Sequence, residues 1–536
     1  MKLHPQINLS KASNILSSIA NGIFFVLLTI ILCGVVFIGN RLDYYDVCKI
    51  TCLMDNSLLF LCGIVLIGLW LIAGMFLSRF PFGRICNLVT SLLLALAFVG
   101  LYFVGVEISK CIAFYSGWDM SVVTGSAYDL SAGGSIGDFF YYSVYPNNIP
   151  IAYYLGKLFT WARNQSDYAY NAEFVWIQTT NILISVAGFA SCMTVKRITQ
   201  RLFPVLTVFL LYVGCVFVTP WRIIPYTDMF AIAFPILCLC FYVYSRKATG
   251  KLPRYAFFTL ACLSATLGGL LKPPVYILLI TLILGELLHF LREVATYKKE
   301  LFLKALLLVG ICLLTVGYKN HIHTATGFIH NEAISATYHH YFLMGLNEES
   351  TGGYYSPDVA ILGAFDSAKE RTSHEMDLAW ERIKEKGIIG YPYFLFKKMV
   401  MVFNDGTFGW GKEGGFFLGE YQHLTAAGYA QFLRDIFWPD FLYSGRFNTY
   451  SQLVWFVILA GVLCNLFHCK SKDSLLHTTL HVGLLGVILY LMLFEARARY
   501  LLCFLPLWIV VGTLGMDALC EHLQTWYRTK KKETNE

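Results

Sequence analysis

Charged residues are scarce in this sequence. Asp, Glu, Lys and Arg make up 14% of its 536 residues, whereas hydrophobic residues make up 57%. Soluble globular domains carry about 25% charged residues. So little charge excludes an ordinary soluble protein and predicts that lipid covers much of the surface.

Two common signatures of soluble enzymes are also missing. The sequence contains neither a Walker loop nor an HExxH zinc motif. It has 16 cysteines but no CxxC pair, and most lie within or at the ends of apolar runs, where Cys packs as a small hydrophobic residue. These absences argue against a cytoplasmic nucleotide-driven enzyme and against a structural zinc site.

Long apolar runs recur along the chain. About 20 apolar residues in a helix cross the roughly 30 Å hydrocarbon core of a bilayer. The sequence has twelve such segments: 19–39, 57–77, 88–108, 172–193, 202–219, 226–244, 255–271, 274–291, 303–319, 451–467, 476–494 and 501–516. The first is long for a signal peptide and lacks a small-residue cleavage site, so we expect it to be retained. The predicted fold is an all-α, polytopic membrane protein of about twelve transmembrane helices.

Basic residues mark alternate loops. They cluster around 196–201, 246–254, 292–304 and 528–532. The positive-inside rule assigns these loops to the cytoplasm of a cell-membrane protein. Both termini are then cytoplasmic, which requires an even number of spans. The unusual residues fall on the opposite side, so we expect function to face outward.

Three regions follow from this topology. Residues 1–319 form an N-terminal transmembrane region with a long outer loop at 109–171, residues 320–450 form an extracytoplasmic α-rich segment, and residues 451–536 form C-terminal helices with a basic tail. Within the outer loop, 149–163 is predicted to be an interfacial helix. A water-exposed helix is predicted from Ser356 to Gly387, followed by a second interfacial helix.

Asp119 is the first candidate for chemistry. It follows Trp118 soon after an apolar run and shares its loop with Asp129. A carboxylate near a bilayer surface can act as a general base or help to bind a divalent cation. The alternative is a loop acid satisfied by nearby backbone amides. Asp119 is the predicted catalytic base, Asp129 is the reserve candidate, and the sequence leaves the need for a cation open.

Cations flank the other outer turns. Lys272 lies in "LKPP" between two spans, where it can bind phosphate or extend towards lipid headgroups. Glu495, Arg497 and Arg499 lie in "EARAR", and such charges between spans are costly unless they are paired or bind an anion. Guanidinium groups suit phosphate.

Two further positions complete the candidate set. Arg222 and Asp228 bracket a short outer turn, so Arg222 can bind phosphate or pair with Asp228. His339 and His340 are adjacent, so their side chains diverge and do not by themselves form a metal site.

A basic lining near an acid suggests transfer from a phosphate-bearing lipid. Nucleotide sugars are not expected outside the cytoplasm, whereas a lipid-linked sugar can enter from the outer leaflet. Cations would neutralise the departing phosphate. Asp119 would deprotonate an acceptor hydroxyl that attacks the anomeric carbon, giving inversion.

The motifs also resemble a known group. They are "GWD" with Asp119, "VYPNN" with Tyr145, Asn147 and Asn148, "PYTD" with Asp228, "KP" with Lys272, "MGLN" at 344–347 close to His340, and "EARARYL" at 495–501. Together they resemble the GT-C superfamily of membrane glycosyltransferases, in particular bacterial members of the protein mannosyltransferase-like (family 39) and aminoarabinose-transferase-like group. The resemblance implies a GT-C bundle, a polyprenyl-phosphate-linked sugar donor, a cell-envelope acceptor, Asp119 as base, and Lys272, Arg497 and Arg499 as phosphate ligands.

Two features depart from that group. Two spans precede the outer loop, and Met120 follows Asp119 where the group often has an acidic pair. A transporter or flippase of lipid-linked glycans is the main alternative, and it predicts internal repeats with broken helices. A polymerase or ligase of lipid-linked glycans is the second alternative.

Overall fold

The structure is a computed structural model that describes residues 5–45, 48–77, 83–165, 172–419, 426–467 and 474–534. Within these ranges all regular secondary structure is helical. Eleven of the described helices are long and apolar enough to cross a membrane. The predicted all-α polytopic fold is therefore confirmed.

The helices are numbered in chain order. They are α1 (Pro5–Phe37), α2 (Asn56–Leu77), α3 (Arg84–Ile112), α4 (Trp118–Ser131), α5 (Phe139–Val144), α6 (Ile149–Gln165), α7 (Ala172–Thr199), α8 (Leu202–Tyr212), α9 (Thr227–Phe230), α10 (Ala233–Arg246), α11 (Lys251–Leu271), α12 (Ile277–Arg292), α13 (Val294–Ala325), α14 (Tyr338–Met344), α15 (Ser356–Ala360), α16 (Ala368–Phe403), α17 (Trp410–Leu418), α18 (Gly428–Phe437), α19 (Ser444–Leu463), α20 (Ser474–Leu493) and α21 (Leu505–Glu533). Short 3₁₀ turns occupy Pro220–Ile223, Pro273–Tyr276 and Ala498–Phe504.

One predicted span is shorter than expected. Segment 202–219 forms α8, 11 residues long, which continues into a five-residue π turn at Val213–Phe217. At 1.5 Å per residue the two together reach roughly 24 Å, less than a hydrocarbon core. Because the parity of spans depends on whether this helix crosses, the cytoplasmic location of both termini stays a prediction.

Helix α21 lies at the centre of the bundle. An 18-residue stretch of this last apolar span is buried throughout, and α21 packs against α7, α8, α10 and α19. A side chain at Gly515 would lie 2.0 Å from the carbonyl oxygen of Gly461, so the two backbones meet directly. This packing fixes the start of α21, and with it the Arg-containing loop that precedes it.

The outer segments are helical, with boundaries that differ from those predicted. The expected helix at 149–163 is α6, which packs against α4. The expected helix from Ser356 to Gly387 begins at Ser356 but stops at Ala360, and α16 starts only at Ala368. Gly387 has φ +64° and bends α16, whose second half is the predicted following helix.

Candidate active site

Asp119 lies in the first turn of α4 and is half-buried. The hydroxyl of Tyr141, on α5, donates a hydrogen bond of 2.8 Å to its Oδ1. The preceding Trp118 has φ +58°, a conformation that bulky residues rarely adopt, and its ring stacks on Phe416 of α17 with centroids 4.3 Å apart. Contacts with α5 and α17 therefore hold this end of α4.

An asparagine links this acid to the next element. The Asn148 side-chain amide donates to the Tyr141 hydroxyl at 2.7 Å and to the Tyr226 hydroxyl at 3.0 Å. Asn147 donates to the Asn148 Oδ1 at 3.0 Å, which orients the amide. Burial raises the pKa values of Tyr141 and Tyr226, and the nearby Asp119 charge raises them further. Both phenols therefore stay protonated and able to donate.

Tyr226 in turn contacts the cations. The Arg499 guanidinium lies 5.8 Å from the Tyr226 ring centroid, and Arg499 Nε lies 3.6 Å from Asp228 Oδ2. Lys272 donates to the other oxygen of Asp228. Three successive hydrogen bonds thus connect Asp119 to Tyr226. The Tyr226 ring contacts Arg499, and Arg499 and Lys272 both face Asp228.

Arg497 joins the same group through an acid that the sequence reasoning missed. Arg497 Nη1 lies 3.3 Å from one oxygen of Glu413 on α17, and Arg499 Nη1 lies 3.7 Å from the other. Glu413 is only 4% exposed. No local pattern separates Glu413 from the other acids of the 320–450 segment.

Glu495 completes the cluster from the same loop as the arginines. It accepts a 2.8 Å hydrogen bond from the Tyr500 hydroxyl, and Lys272 Nζ lies 4.9 Å from the Tyr500 ring centroid. We call Asp119, Tyr141, Asn148, Tyr226, Asp228, Lys272, Glu413, Glu495, Arg497, Arg499 and Tyr500 the acid–cation cluster. Tyr145 flanks it, with its ring 5.4 Å from that of Tyr141.

Arg222 makes a different set of contacts. Its guanidinium donates to Asn181 Oδ1 on α7 at 3.0 Å and to the carbonyl of Thr219 at 3.1 Å, and it lies 4.7 Å from the Phe217 ring centroid. Asp228, its predicted alternative partner, pairs instead with Lys272 and Arg499. These contacts anchor the short outer turn to α7, away from the acid–cation cluster.

Asp129 and His340 also lie apart. Asp129 is exposed near the end of α4, about 15 Å along the helix axis from Asp119 at 1.5 Å per residue. His340 is fully buried on α14, where its Nδ1 lies 3.0 Å from Glu375, whose other oxygen faces Arg371 at 3.9 Å. That buried group belongs to α14 and α16.

The acids of the cluster do not gather into a cation-binding set. Among the residues that the structure describes, no group of three or more His, Cys, Asp or Glu side chains is placed to hold a metal ion. Asp228 and Glu413 face cations, while Asp119 and Glu495 accept from tyrosines. The cluster therefore joins three acid-paired cations to the same hydrogen-bonded group as a half-buried carboxylate.

Comparisons with known proteins place the chain among membrane proteins. The fold is similar to the crystal structure of ArnT from Cupriavidus metallidurans in the apo state, at 11% sequence identity and a TM-score of 0.31, over 79% of this chain and 75% of that chain. No curated protein matches the sequence. Residues 12–520 match the family described as conserved hypothetical integral membrane protein. The chain therefore belongs to this family of integral membrane proteins.

Proposed function

We propose that this protein is a GT-C-type glycosyltransferase that moves a sugar from a polyprenyl-phosphate-linked donor to an extracytoplasmic acceptor in the cell envelope. The observation that carries the proposal is the hydrogen-bonded path from Asp119 through Tyr141 and Asn148 to Tyr226, which contacts Arg499. This path links a carboxylate to a group of cations through protein side chains.

The cations stabilise the negative charge of the departing phosphate. Lys272 is 6% exposed, and the Arg497 and Arg499 side chains are 15% and 12% exposed, so their charges are poorly screened by water. Negative charge develops on the phosphate as the glycosidic bond breaks, and preorganised cations lower that barrier. Planar guanidinium groups provide two donors each to phosphate oxygens.

Asp119 is the base that deprotonates the attacking hydroxyl. The acceptor hydroxyl gives its proton to the carboxylate as its oxygen bonds to the anomeric carbon, and the bond from that carbon to the phosphate oxygen breaks with its electron pair. A phosphate leaves without taking a proton, so one base is sufficient. The Tyr141 hydrogen bond orients the carboxylate, and the product has inverted configuration.

The experiment uses the purified protein in vesicles that contain lipid-linked sugars and acceptors extracted from cells that make it. Asp119→Asn should abolish transfer and the release of polyprenyl phosphate while leaving membrane insertion and melting temperature unchanged. Asp129→Asn is the matched control, since it makes the same change at the exposed end of the same helix, and it should retain activity. Full activity of Asp119→Asn refutes the proposed base, and movement of the lipid-linked sugar without any glycosyl product establishes a flippase instead.

A further inference from the structure

The cations of the acid–cation cluster already face acids before any ligand arrives. Lys272 and Arg499 face Asp228, while Arg497 and Arg499 face Glu413. Glu495 provides a third carboxylate beside them, and Asp119 is the fourth acid of the cluster, so the acids already outnumber the three cations. A donor phosphate that bound here would bring unbalanced negative charge into a mostly buried site, which is costly.

For a phosphate to bind, one of the three acids beside the cations must therefore move away, and their contacts indicate which one. Asp228 is 2% exposed and is bonded to Lys272 on one oxygen. Glu495 stands in the same loop as the arginines and accepts from Tyr500. Glu413 reaches the site from α17, and its two contacts of 3.3 and 3.7 Å are longer than a direct charge-assisted hydrogen bond of about 2.7–2.9 Å.

Glycines flank the helix that carries this acid. Gly409 immediately before the nine-residue helix has φ +89°, and Gly419 immediately after it has φ +48°. Glycine populates such conformations without steric cost, so the chain turns sharply at both ends. The Gly409 N–H donates to Asp405 Oδ2 at 2.7 Å and holds the start of α17, so a departure of Glu413 from the arginines is a rotation of its own side chain.

The placement of the carboxylate resembles that of a bound phosphate. Each of its two oxygens faces a different guanidinium, as two oxygens of a phosphate would. We propose that Glu413 stands in for the donor phosphate in the donor-free protein and is displaced when the donor binds, so that Glu413 sets the affinity for phosphate-bearing lipid. This inference rests on the proposed function.

The displacement has two measurable consequences. Glu413→Gln keeps the shape of the side chain but removes its charge, so polyprenyl phosphate should bind about tenfold more tightly, equivalent to 1.4 kcal/mol. The product of transfer is also a polyprenyl phosphate, and the returning carboxylate helps to expel it. Glu413→Gln should therefore lower both KM for the donor and kcat, because product release becomes slower.

The test measures binding of polyprenyl phosphate and, separately, of inorganic phosphate to the full-length protein in nanodiscs. Lys412→Gln is the matched control, because Lys412 is the exposed neighbour on the same helix and should leave binding unchanged. Glu413→Asp keeps the charge and folds with less perturbation. Its carboxylate reaches less far, so it should bind the lipid more tightly than the wild type and less tightly than Glu413→Gln.

The outcomes separate the two proposals. Tighter binding of polyprenyl phosphate by Glu413→Gln supports the displacement. If a folded Glu413→Gln binds polyprenyl phosphate no more tightly than the wild type, the displacement is overturned and the proposed function stands. If Glu413→Gln fails to fold, the same result for Glu413→Asp overturns the displacement. Tighter binding of inorganic phosphate alone overturns the lipid as the displacing ligand. Failure of the wild type and of both variants to bind polyprenyl phosphate overturns the proposed function and the inference together.

Discussion

The hydroxyl of Tyr141 is the group whose removal most specifically tests the path between acid and cations. It donates to Asp119 at 2.8 Å and accepts from Asn148 at 2.7 Å. Tyr141→Phe keeps the ring and its contacts with Tyr142 and Tyr145, whose centroids lie 5.1 and 5.4 Å away. Only the hydrogen bonds are lost, and the base loses its orientation.

The size of the effect follows from the charge on Asp119. A hydrogen bond to a charged group contributes about 1.5–3 kcal/mol. At 1.4 kcal/mol per factor of ten, Tyr141→Phe should lower kcat by about tenfold to a hundredfold, with a smaller change in KM for the donor. Steady-state transfer from the lipid-linked donor in vesicles measures both constants.

Tyr142→Phe removes the same atom one residue along the chain. Its hydroxyl donates to the backbone oxygen of Val122 at 3.4 Å, a long contact with an uncharged group. This control should retain activity within about twofold. Wild-type kcat in Tyr141→Phe, or an equal loss in Tyr142→Phe, would refute the reasoning.

Two more predictions concern donor binding. Lys272→Ala should raise KM for the donor by more than about tenfold with a smaller fall in kcat, since a charge-assisted contact to phosphate is lost; an unchanged KM in a folded variant removes Lys272 from the site. Lys398 donates to the carbonyls of Gly345, Met492 and Phe494 at 2.8, 3.2 and 2.6 Å, and burial lowers its pKa to about 7. Raising the pH from 6 to 8 removes one of the three protons of this amine, and the loss of that donor loosens the loop that leads to the arginines. KM for the donor should therefore rise over that interval in the wild type and stay constant in Lys398→Met. Parallel pH profiles of the two proteins would contradict this role.

The sequence predicted most of the fold because membrane spans are encoded locally. A run of about 20 apolar residues is sufficient to specify a spanning helix, since every backbone group is satisfied within the helix itself. Segment 202–219 was predicted to span, but only an 11-residue helix and a five-residue π turn form there, because the sequence pattern does not show where a helix tightens or stops. The break between Ala360 and Ala368 contains Leu362, which is 1% exposed, and the burial of one residue between two helices is not visible in local sequence.

The candidate site was only partly predictable. Asp119, Lys272 and Arg499 are charged residues at the ends of apolar runs, a pattern visible in one dimension. The packing of distant segments brings three more residues into the site: Tyr141, Tyr226 and Glu413. Tyrosines are also too common to stand out, with 33 in the chain. The sequence could not tell which cation pairs with which acid, because Arg222 lies close to Asp228 along the chain but donates to Asn181 on α7, while the more distant Lys272 pairs with Asp228.

A structure of Asp119→Asn in nanodiscs with an intact polyprenyl-phosphate-linked sugar tests the central claim most directly. We expect the donor phosphate to lie within about 4 Å of Lys272 and Arg499, a salt-bridge distance. We also expect the anomeric carbon to face position 119 and the Glu413 carboxylate to have moved off the arginines. A phosphate bound elsewhere, or a sugar turned away from position 119, would contradict it.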